Sequence, residues 1–389
     1  MSTVLAAASP ATVVERPIRV MVVDDSIVVR RLLTRWIGAE PDMTIASCLR
    51  TGRQAVEQVE GWDPDVVVLD VDMPELDGIS ALPLLLKKKR NLVVIMASTL
   101  TRRSAEISLR ALSLGAADYV PKPEVAPDAS TSAEFQRELI DKIRNLGRRG
   151  RSLARPGKPG AMMPREPSPA LRSRVDEVPH AEAAPFSLRP FALATPRVLL
   201  IGSSTGGPQV LTTLIGQIGA AIDRAPILIT QHMPPTFTTV LAEHLSRASG
   251  RSVHEAEHDE AVVAGRVYVA PGGRHMRVAR GRDGGPAIAL GNDLPINFCR
   301  PSVDPLLSSA AEVWGAGSLA LILTGMGSDG THGAADVAAA GGSIIAQDEA
   351  TSVVWGMPRS VAQAGLCSAV LPLGRIAAKV NHLFAGERE

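Results

Sequence analysis

The chain lacks the features that would place it outside a reducing, aqueous setting. Its 389 residues include three cysteines, Cys48, Cys299 and Cys367, isolated and odd in number. No C-x-x-C pair occurs, so neither a disulfide framework nor a thiolate zinc site is indicated. Lys and Arg total 41 against 40 Asp and Glu, a formal net charge of +1. No global field therefore argues for nucleic acid or an anionic membrane as a partner. No apolar run approaches the ~20 residues of a membrane helix, so no membrane insertion is expected. Residues 1–17 have no basic start and no long apolar core, which fits a disordered tail better than a signal peptide. These absences together point to the cytoplasm.

Two phosphate-binding signatures are missing as well. A Walker loop needs Lys after its second glycine, but Pro208 follows Gly206-Gly207. The G-x-G-x-x-G dinucleotide fingerprint is absent too. What stands there is Gly202-Ser203-Ser204-Thr205-Gly206, between the apolar run Val198–Ile201 and the helix-like run Val210–Ile215. That reads as strand, glycine turn, helix. Such a turn either presents a nucleophile beside backbone N–H donors or is ordinary punctuation. On spacing alone Ser203, Ser204 and Thr205 are all open as the nucleophile.

The length fits about two domains. Residues 18–147 alternate strand-like and helix-like runs five times, which predicts a parallel doubly wound α/β sheet. Ligands in such sheets gather at the carboxyl ends of the strands. Those ends carry Asp24-Asp25, Asp70, Ser98 and Lys122. Any one of these acids alone is ordinary cap or loop chemistry. Together, three carboxylates and a lysine suit a hard cation such as Mg²⁺. A carboxylate in that setting can attack a phosphoryl group, with Ser98 bonding the new phosphate.

Asp24-Asp25, the run Leu69–Gly78, Ser98 and Lys122-Pro123 resemble a two-component response-regulator receiver domain, a flavodoxin-like fold with a five-stranded parallel sheet. The resemblance implies that Asp70 accepts phosphate from a phosphohistidine on a sensor kinase. It implies Mg²⁺ bound directly by Asp25 and Asp70, by Asp24 through water, and by the backbone carbonyl of Asp72. It makes Ser98 and Lys122 the readers of the phosphorylated state and offers Tyr119 as an aromatic switch. A helix over 131–147, striped by Phe135, Leu139, Ile140, Ile143 and Leu146, should close this unit.

Residues 148–195 change character. Eight prolines fall between Arg148 and Pro190, with nine Lys or Arg against four Asp or Glu. A mobile tether is expected. Arg148-Arg149-Gly150-Arg151 reads as part of that solvated linker rather than as a nucleic-acid site.

The βα rhythm resumes over 196–386, with strands expected at Val198–Ile201, Ile227–Thr230, Val267–Ala270, Ala320–Leu323 and Ser343–Ala346. Polar clusters follow three of them: Ser203-Ser204-Thr205, Gln231-His232 and Gly325–Gly330 with Asp329. Serine, histidine and aspartate on one sheet edge form the nucleophile, base and orienter constellation. Their order, Ser…His…Asp, is not that of an α/β-hydrolase. His332 is a rival base, and His254, Glu257 and His258 read as a solvated charged loop.

The motifs Gly202–Gly207, Gln231-His232-Met233-Pro234 and Gly325–Gly330 resemble those of chemotaxis methylesterases, the CheB family. Tyr268–His275, Arg300–Asp304 and Gln347-Asp348-Glu349 extend the likeness over 197–385. The resemblance implies a phosphorylation-activated hydrolase that demethylates glutamyl methyl esters, and releases ammonia from glutamines, on methyl-accepting chemoreceptors. Ser204 would be nucleophile, His232 base and Asp329 orienter, with Thr205 and Met326 N–H groups receiving the oxyanion. A chemotaxis histidine kinase would be the phosphodonor, and the second domain would need no cofactor. Ser203 stands where the family usually has alanine, and Phe298-Cys299 replaces residues that are often basic. The receiver would rest over the Ser204 edge and swing away on phosphorylation. Two other readings compete: a receiver joined to a non-catalytic binding module, or an unrelated serine esterase under receiver control.

Overall fold

The computed structural model describes residues 16–122, 129–154 and 186–387. The first sheet contains β1 (Ile18–Val23), β2 (Met43–Leu49), β3 (Val66–Asp70), β4 (Val93–Ser98) and β5 (Asp118–Pro121). All its strands are parallel, in the order β2-β1-β3-β4-β5. Helices α1 (Ile27–Gly38), α2 (Gly52–Trp62), α3 (Gly78–Lys88), α4 (Arg102–Ser113) and α5 (Ala129–Ala154) alternate with the strands. Every residue of β3 and β4 is buried, as expected of strands covered by helices on both faces. The side chains of Ser26, Thr51, Asp77 and Thr101 cap α1 to α4 by accepting a first-turn N–H. Each such cap is worth about 1 kcal/mol.

The strand order reverses direction between β1 and β3, and that switch point brings Asp24 and Asp70 side by side. The loop after β3 folds back tightly. A Cβ on Gly78 would lie 2.0 Å from the Asp70 carbonyl oxygen, so the position needs glycine.

Helix α5 buries the expected stripe of Phe135, Leu139, Ile140, Ile143 and Leu146. It continues to Ala154, beyond the expected domain end at 147. Residues from 186 onward already lie against the second unit, ahead of the expected start at 196. Arg189 N–H donates to the Cys367 carbonyl at 2.8 Å, and Ala192 N–H to Ser343 Oγ at 2.8 Å. Residues 1–15 of the tail expected at 1–17, Pro123 and the body of the expected tether at 155–185 lie outside the described residues.

The second unit opens with β6 (Val198–Ser203), α6 (Gly207–Gln217), α7 (Gly219–Arg224), β7 (Ile227–Gln231), α8 (Phe237–Ser249), β8 (Ser252–Glu255) and β9 (Arg266–Val269). β10 (His275–Arg280) and β11 (Pro286–Gly291) follow as an antiparallel hairpin. α9 (Val303–Trp314), β12 (Ser318–Ile322), α10 (Thr331–Ala339), β13 (Ser343–Gln347), α11 (Met357–Gln363), β14 (Ala369–Leu371) and α12 (Leu373–Ala385) complete it. The seven-stranded sheet is parallel throughout, in the order β14-β13-β12-β6-β7-β9-β8. All five expected strands are present. The short edge strands β8 and β14 and the hairpin are additions, too brief or too mixed in pattern to read from periodicity. β6 is central, between β12 and β7, and its carboxyl end is this sheet's switch point.

The two units pack on each other. Leu109, Leu112 and Tyr119 of the receiver-like unit share one apolar cluster with Phe237, Val240 and Leu241 of the second. In that seam α4 packs on α8 and α6.

Candidate active site

Three neighbouring strands deliver the polar groups of the second sheet. β6 ends at Ser203, β7 at Gln231 and β12 at Ile322, in register. Ser204 N–H donates to the Thr324 carbonyl at 3.0 Å and His232 N–H to the Ser203 carbonyl at 3.1 Å, so the loops stay knitted beyond the strands. The chain then turns at Gly206, which has φ 77°, a left-handed conformation suited to glycine. α6, α10 and α11 start behind Gly206, Gly330 and Gly356, which have no side chain to cap them. The first N–H groups bond to loop carbonyls instead, Gly207 to Ser204, Thr331 to Ser328 and Met357 to Gly325, and Gly333 N–H donates to Asp304 Oδ1 at 2.8 Å.

The alternation of side chains along β6 separates the candidate nucleophiles. Ser203 is fully buried and its hydroxyl donates to Gln231 Oε1 at 2.7 Å. Thr205 is also buried. Ser204 is the half-buried member, just past the strand. Among the described residues, neither Thr205 N–H nor Met326 N–H donates to a protein acceptor. Both are the groups expected to receive an oxyanion.

His232 and Asp329 meet, with Nε2 2.6 Å from Oδ2. Asp329 is 2% exposed and richly served. Ser302 Oγ donates to it at 2.7 Å, Val303 N–H at 2.7 Å and Gly330 N–H at 3.0 Å. Burial alone would raise its pKa, but His232 and these donors hold it well below the usual carboxylate range. Burial disfavours a charged imidazole at His232, yet Cys299 and Asp329 outweigh that and push its pKa up to about 10. Cys299 Sγ lies 3.4 Å from His232 Nδ1. No hydrogen bond joins Ser204 Oγ to His232 among the described residues.

The rivals lie elsewhere. The His332 side chain is 80% exposed and faces Asp336. His254 pairs with Glu260 at 2.7 Å, and His258 Nδ1 accepts from Leu290 N–H. Neither shares a cluster of metal-ligand geometry among the described residues.

The first sheet gathers its own site. Ligand oxygens of Asp24, Asp25 and Asp70 lie within 4.8 Å of one another. Lys122 Nζ is 2.6 Å from both Asp24 Oδ2 and Asp70 Oδ1. Burial first, then Asp24 and Asp25 against the opposing pull of Lys122, push the Asp70 pKa up to about 6. Three close hard-oxygen donors, two of them buried, fit a small divalent cation. The Asp72 side chain is exposed and outside this cluster, which leaves only its backbone carbonyl for the role expected of it. Ser98 is buried and shares a hydrogen bond with Ser108 Oγ at 2.9 Å.

Between the sites runs a set of contacts that sequence reasoning missed. Tyr119 stacks on Phe237 with centroids 4.8 Å apart and planes 9° from parallel. Arg102 Nη2 donates to both oxygens of Glu243, at 2.7 and 2.8 Å. Asn145 Nδ2 reaches Met326 Sδ at 3.1 Å, and the Arg137 guanidinium lies 3.9 Å from the Phe298 ring centroid. Ser302 had a signal, since it stands in the Arg300–Asp304 motif. Phe237, Arg137 and Asn145 had none, because their partners are distant in sequence.

Comparison with known proteins follows the same division. Residues 199–380 match the family described as CheB methylesterase, and residues 20–132 match the response regulator receiver domain. The protein-glutamate methylesterase/protein-glutamine glutaminase of group 2 operon of Rhodopseudomonas palustris is 59% identical over 99% of this chain and 100% of its own length. The protein-glutamate methylesterase/protein-glutamine glutaminase of Nitrobacter hamburgensis is 60% identical over 98% of this chain and 99% of its own. The catalytic domain of Thermotoga maritima CheB methylesterase, a crystal structure, is 43% identical. It covers 49% of this chain and 100% of that one, with a TM-score of 0.47.

Proposed function

Since this chain belongs to the CheB methylesterase family and carries a response-regulator receiver domain in front, we propose that it hydrolyses glutamyl methyl esters of methyl-accepting chemoreceptors under phosphorylation control. The observation that carries the catalytic part is the buried His232–Asp329 pair at 2.6 Å, with His232 and Ser204 each one residue past the paired strand ends Gln231 and Ser203. Ser204 Oγ attacks the γ-carbonyl while His232 Nδ1, its one nitrogen not held by Asp329, takes the proton. Asp329 keeps the ring tautomer and stabilises the imidazolium. Thr205 and Met326 N–H groups receive the oxyanion, an effect worth ~3–4 kcal/mol per donor. His232 returns the proton to the leaving methanol, and water then frees the acyl group by the reverse sequence. A glutamine side chain passes through the same tetrahedral geometry and releases ammonia, so glutaminase activity belongs to the same site.

Control lies in the receiver. Asp70 would attack the phosphorus of a phosphohistidine on the chemotaxis histidine kinase, with Lys122 beside the incoming oxygens. A divalent cation held by Asp24, Asp25 and Asp70, with the Asp72 carbonyl as a further ligand, would supply charge neutralisation for the phosphoryl group. Ser98 would exchange Ser108 for the new phosphate. Tyr119 sits in the seam against Phe237, so a change at Ser98 and Lys122 would be felt there.

Methanol release from methylated receptor, with and without a small phosphoryl donor, tests the reading. Ser204→Ala should lower the rate about 10³-fold or more. Asp70→Asn should abolish the response to donor. Continued methanol release by Ser204→Ala would sink the triad, and a donor response in Asp70→Asn would sink the phosphorylation site.

A further inference from the structure

One group at the catalytic edge has no part in that chemistry: the thiol of Cys299. An imidazole has two ring nitrogens. Asp329 holds Nε2 at 2.6 Å, and Cys299 Sγ stands 3.4 Å from Nδ1. Nδ1 is the nitrogen that Ser204 needs. Whichever of the two groups holds the shared proton, Nδ1 is engaged.

Cys299 owes its place to a tight turn. Ile296 and Cys299 exchange both backbone hydrogen bonds, at 3.1 and 2.8 Å. The two residues between them, Asn297 and Phe298, have φ of 51° and 62°. Left-handed backbone is uncommon for residues with a Cβ, and a bulky side chain there needs outside support. Phe298 is 76% exposed with both units in place, and the cation that lies over its ring is Arg137 of α5, its guanidinium 3.9 Å from the ring centroid. One side of the turn thus bears on the receiver and the other on the base.

We propose that Cys299 is a positioning residue that latches the catalytic base: while the receiver is docked, Arg137 holds the Phe298 turn so that the thiol occupies His232 Nδ1 and denies it to Ser204. The latch rests on the reading of Ser204, His232 and Asp329 given above. It differs from shielding of the substrate path, since it disables the base itself. Undocking removes Arg137, frees the turn and returns Nδ1 to Ser204.

The test uses the full chain without phosphoryl donor, following methanol release from methylated receptor. Cys299→Ala should raise this resting rate about tenfold, the scale of one hydrogen bond to a charged group. Arg137→Ala should raise it about fivefold, the scale of a surface cation–π contact. If both act through one latch, the double variant gains no more than the larger single effect. Cys299→Ser, which keeps a hydrogen-bonding group there, should fall between wild type and Cys299→Ala. The titratable groups facing His232 are Asp329, from the loop after β12, and Cys299, from the turn before α9, with Asp304 behind Asp329. Cys299→Ala should therefore move the alkaline rise of the resting pH–rate profile down by about one unit or more, an effect that a merely structural role would not produce. A donor-activated rate like wild type in Arg137→Ala serves as the folding control. The latch is overturned if Cys299→Ala leaves the resting rate and pH profile within about twofold of wild type, lowers both rates, or adds fully to Arg137→Ala. If Ser204→Ala still releases methanol, the catalytic reading fails first. If Ser204→Ala is silent and Cys299→Ala changes nothing, the latch alone fails.

Discussion

Asp70 in one half of this molecule and Asp329 in the other are each buried beside a basic side chain, yet the two carboxylates are driven in opposite directions. Asp70 has Lys122 at 2.6 Å but also Asp24 and Asp25 close by, and after burial its pKa rises to about 6. Asp329 has His232 at 2.6 Å and three short donors, from Ser302, Val303 and Gly330, and its pKa falls. The like-charge penalty near Asp329 falls on Asp304 instead, where burial and the Asp329 charge, against the opposing Gly333 N–H, push the pKa up to about 6. The difference is one of donors. On the proposed roles, the carboxylate that reacts, Asp70, has neighbours of its own sign, and the one that holds another residue still, Asp329, is saturated with donors.

The helix starts differ in the same sense. Ser26, Thr51, Asp77 and Thr101 close the N-termini of the receiver helices. The helices beside Ser204 start behind glycines with no cap from their own side chain, and the loop N–H groups of Thr205 and Met326 ahead of them take no protein acceptor among the described residues.

The comparison breaks first at Asp329. Asp329→Asn keeps the shape and removes the charge, so the donor-activated kcat should fall about 10³–10⁴-fold, read as methanol release. A loss under about tenfold would mean that the saturated acid is no anchor.

The next effect concerns Asp70 and stability. Its pKa in the folded chain lies near 6, against 3.8 for the free side chain. Below 3.8 both folded and unfolded forms hold the proton. Between 3.8 and about 6 the folded form keeps it and the unfolded form has lost it, so stability declines as pH rises. Above about 6 the cost is complete. Asp70→Asn removes this penalty and should stabilise the receiver at pH 8 by up to about 3 kcal/mol relative to its effect near pH 4. Urea unfolding in metal-free buffer at the two pH values checks it. Equal effects at both would place Asp70 in the same class as Asp329.

The smallest effect sharpens how the two halves communicate. Tyr119→Leu keeps apolar bulk but removes the stack on Phe237, worth about 0.5–1.5 kcal/mol beyond its area. The donor-free rate should rise about two- to tenfold as docking weakens. An unchanged rate would remove this stack from the path between the sites.

Much of the architecture was readable because it is local. A buried strand is a short apolar run, and its polar end follows at once, so Asp24, Asp70, Ser98, Lys122, Ser204, His232 and Asp329 could all be placed at strand ends. The edge strands β8 and β14 were not readable, since four and three residues carry too little pattern. The extent of α5 was misjudged because an arginine-rich run resembles a linker. In the structure Arg151 bonds the carbonyl of Arg16 and the carboxylate of Asp65, and the helix continues to Ala154. Cys299 was visible as a departure at that position, but its contact lies 67 residues away in sequence and has no periodicity to betray it.

By itself, then, the order of residues determined two parallel α/β units and the small set of polar groups at their strand ends, because apolar runs and the turns that follow them are decided within a few residues. Only the tertiary structure chose among those groups. It turned Ser203 inward to Gln231 and left Ser204 at the edge, set His232 rather than His332 on Asp329, and laid Tyr119 on Phe237. The reason is physical: propensity and patterning act along the chain, whereas side-chain partners are selected by packing between segments brought together by the sheet order and by the seam between the two units.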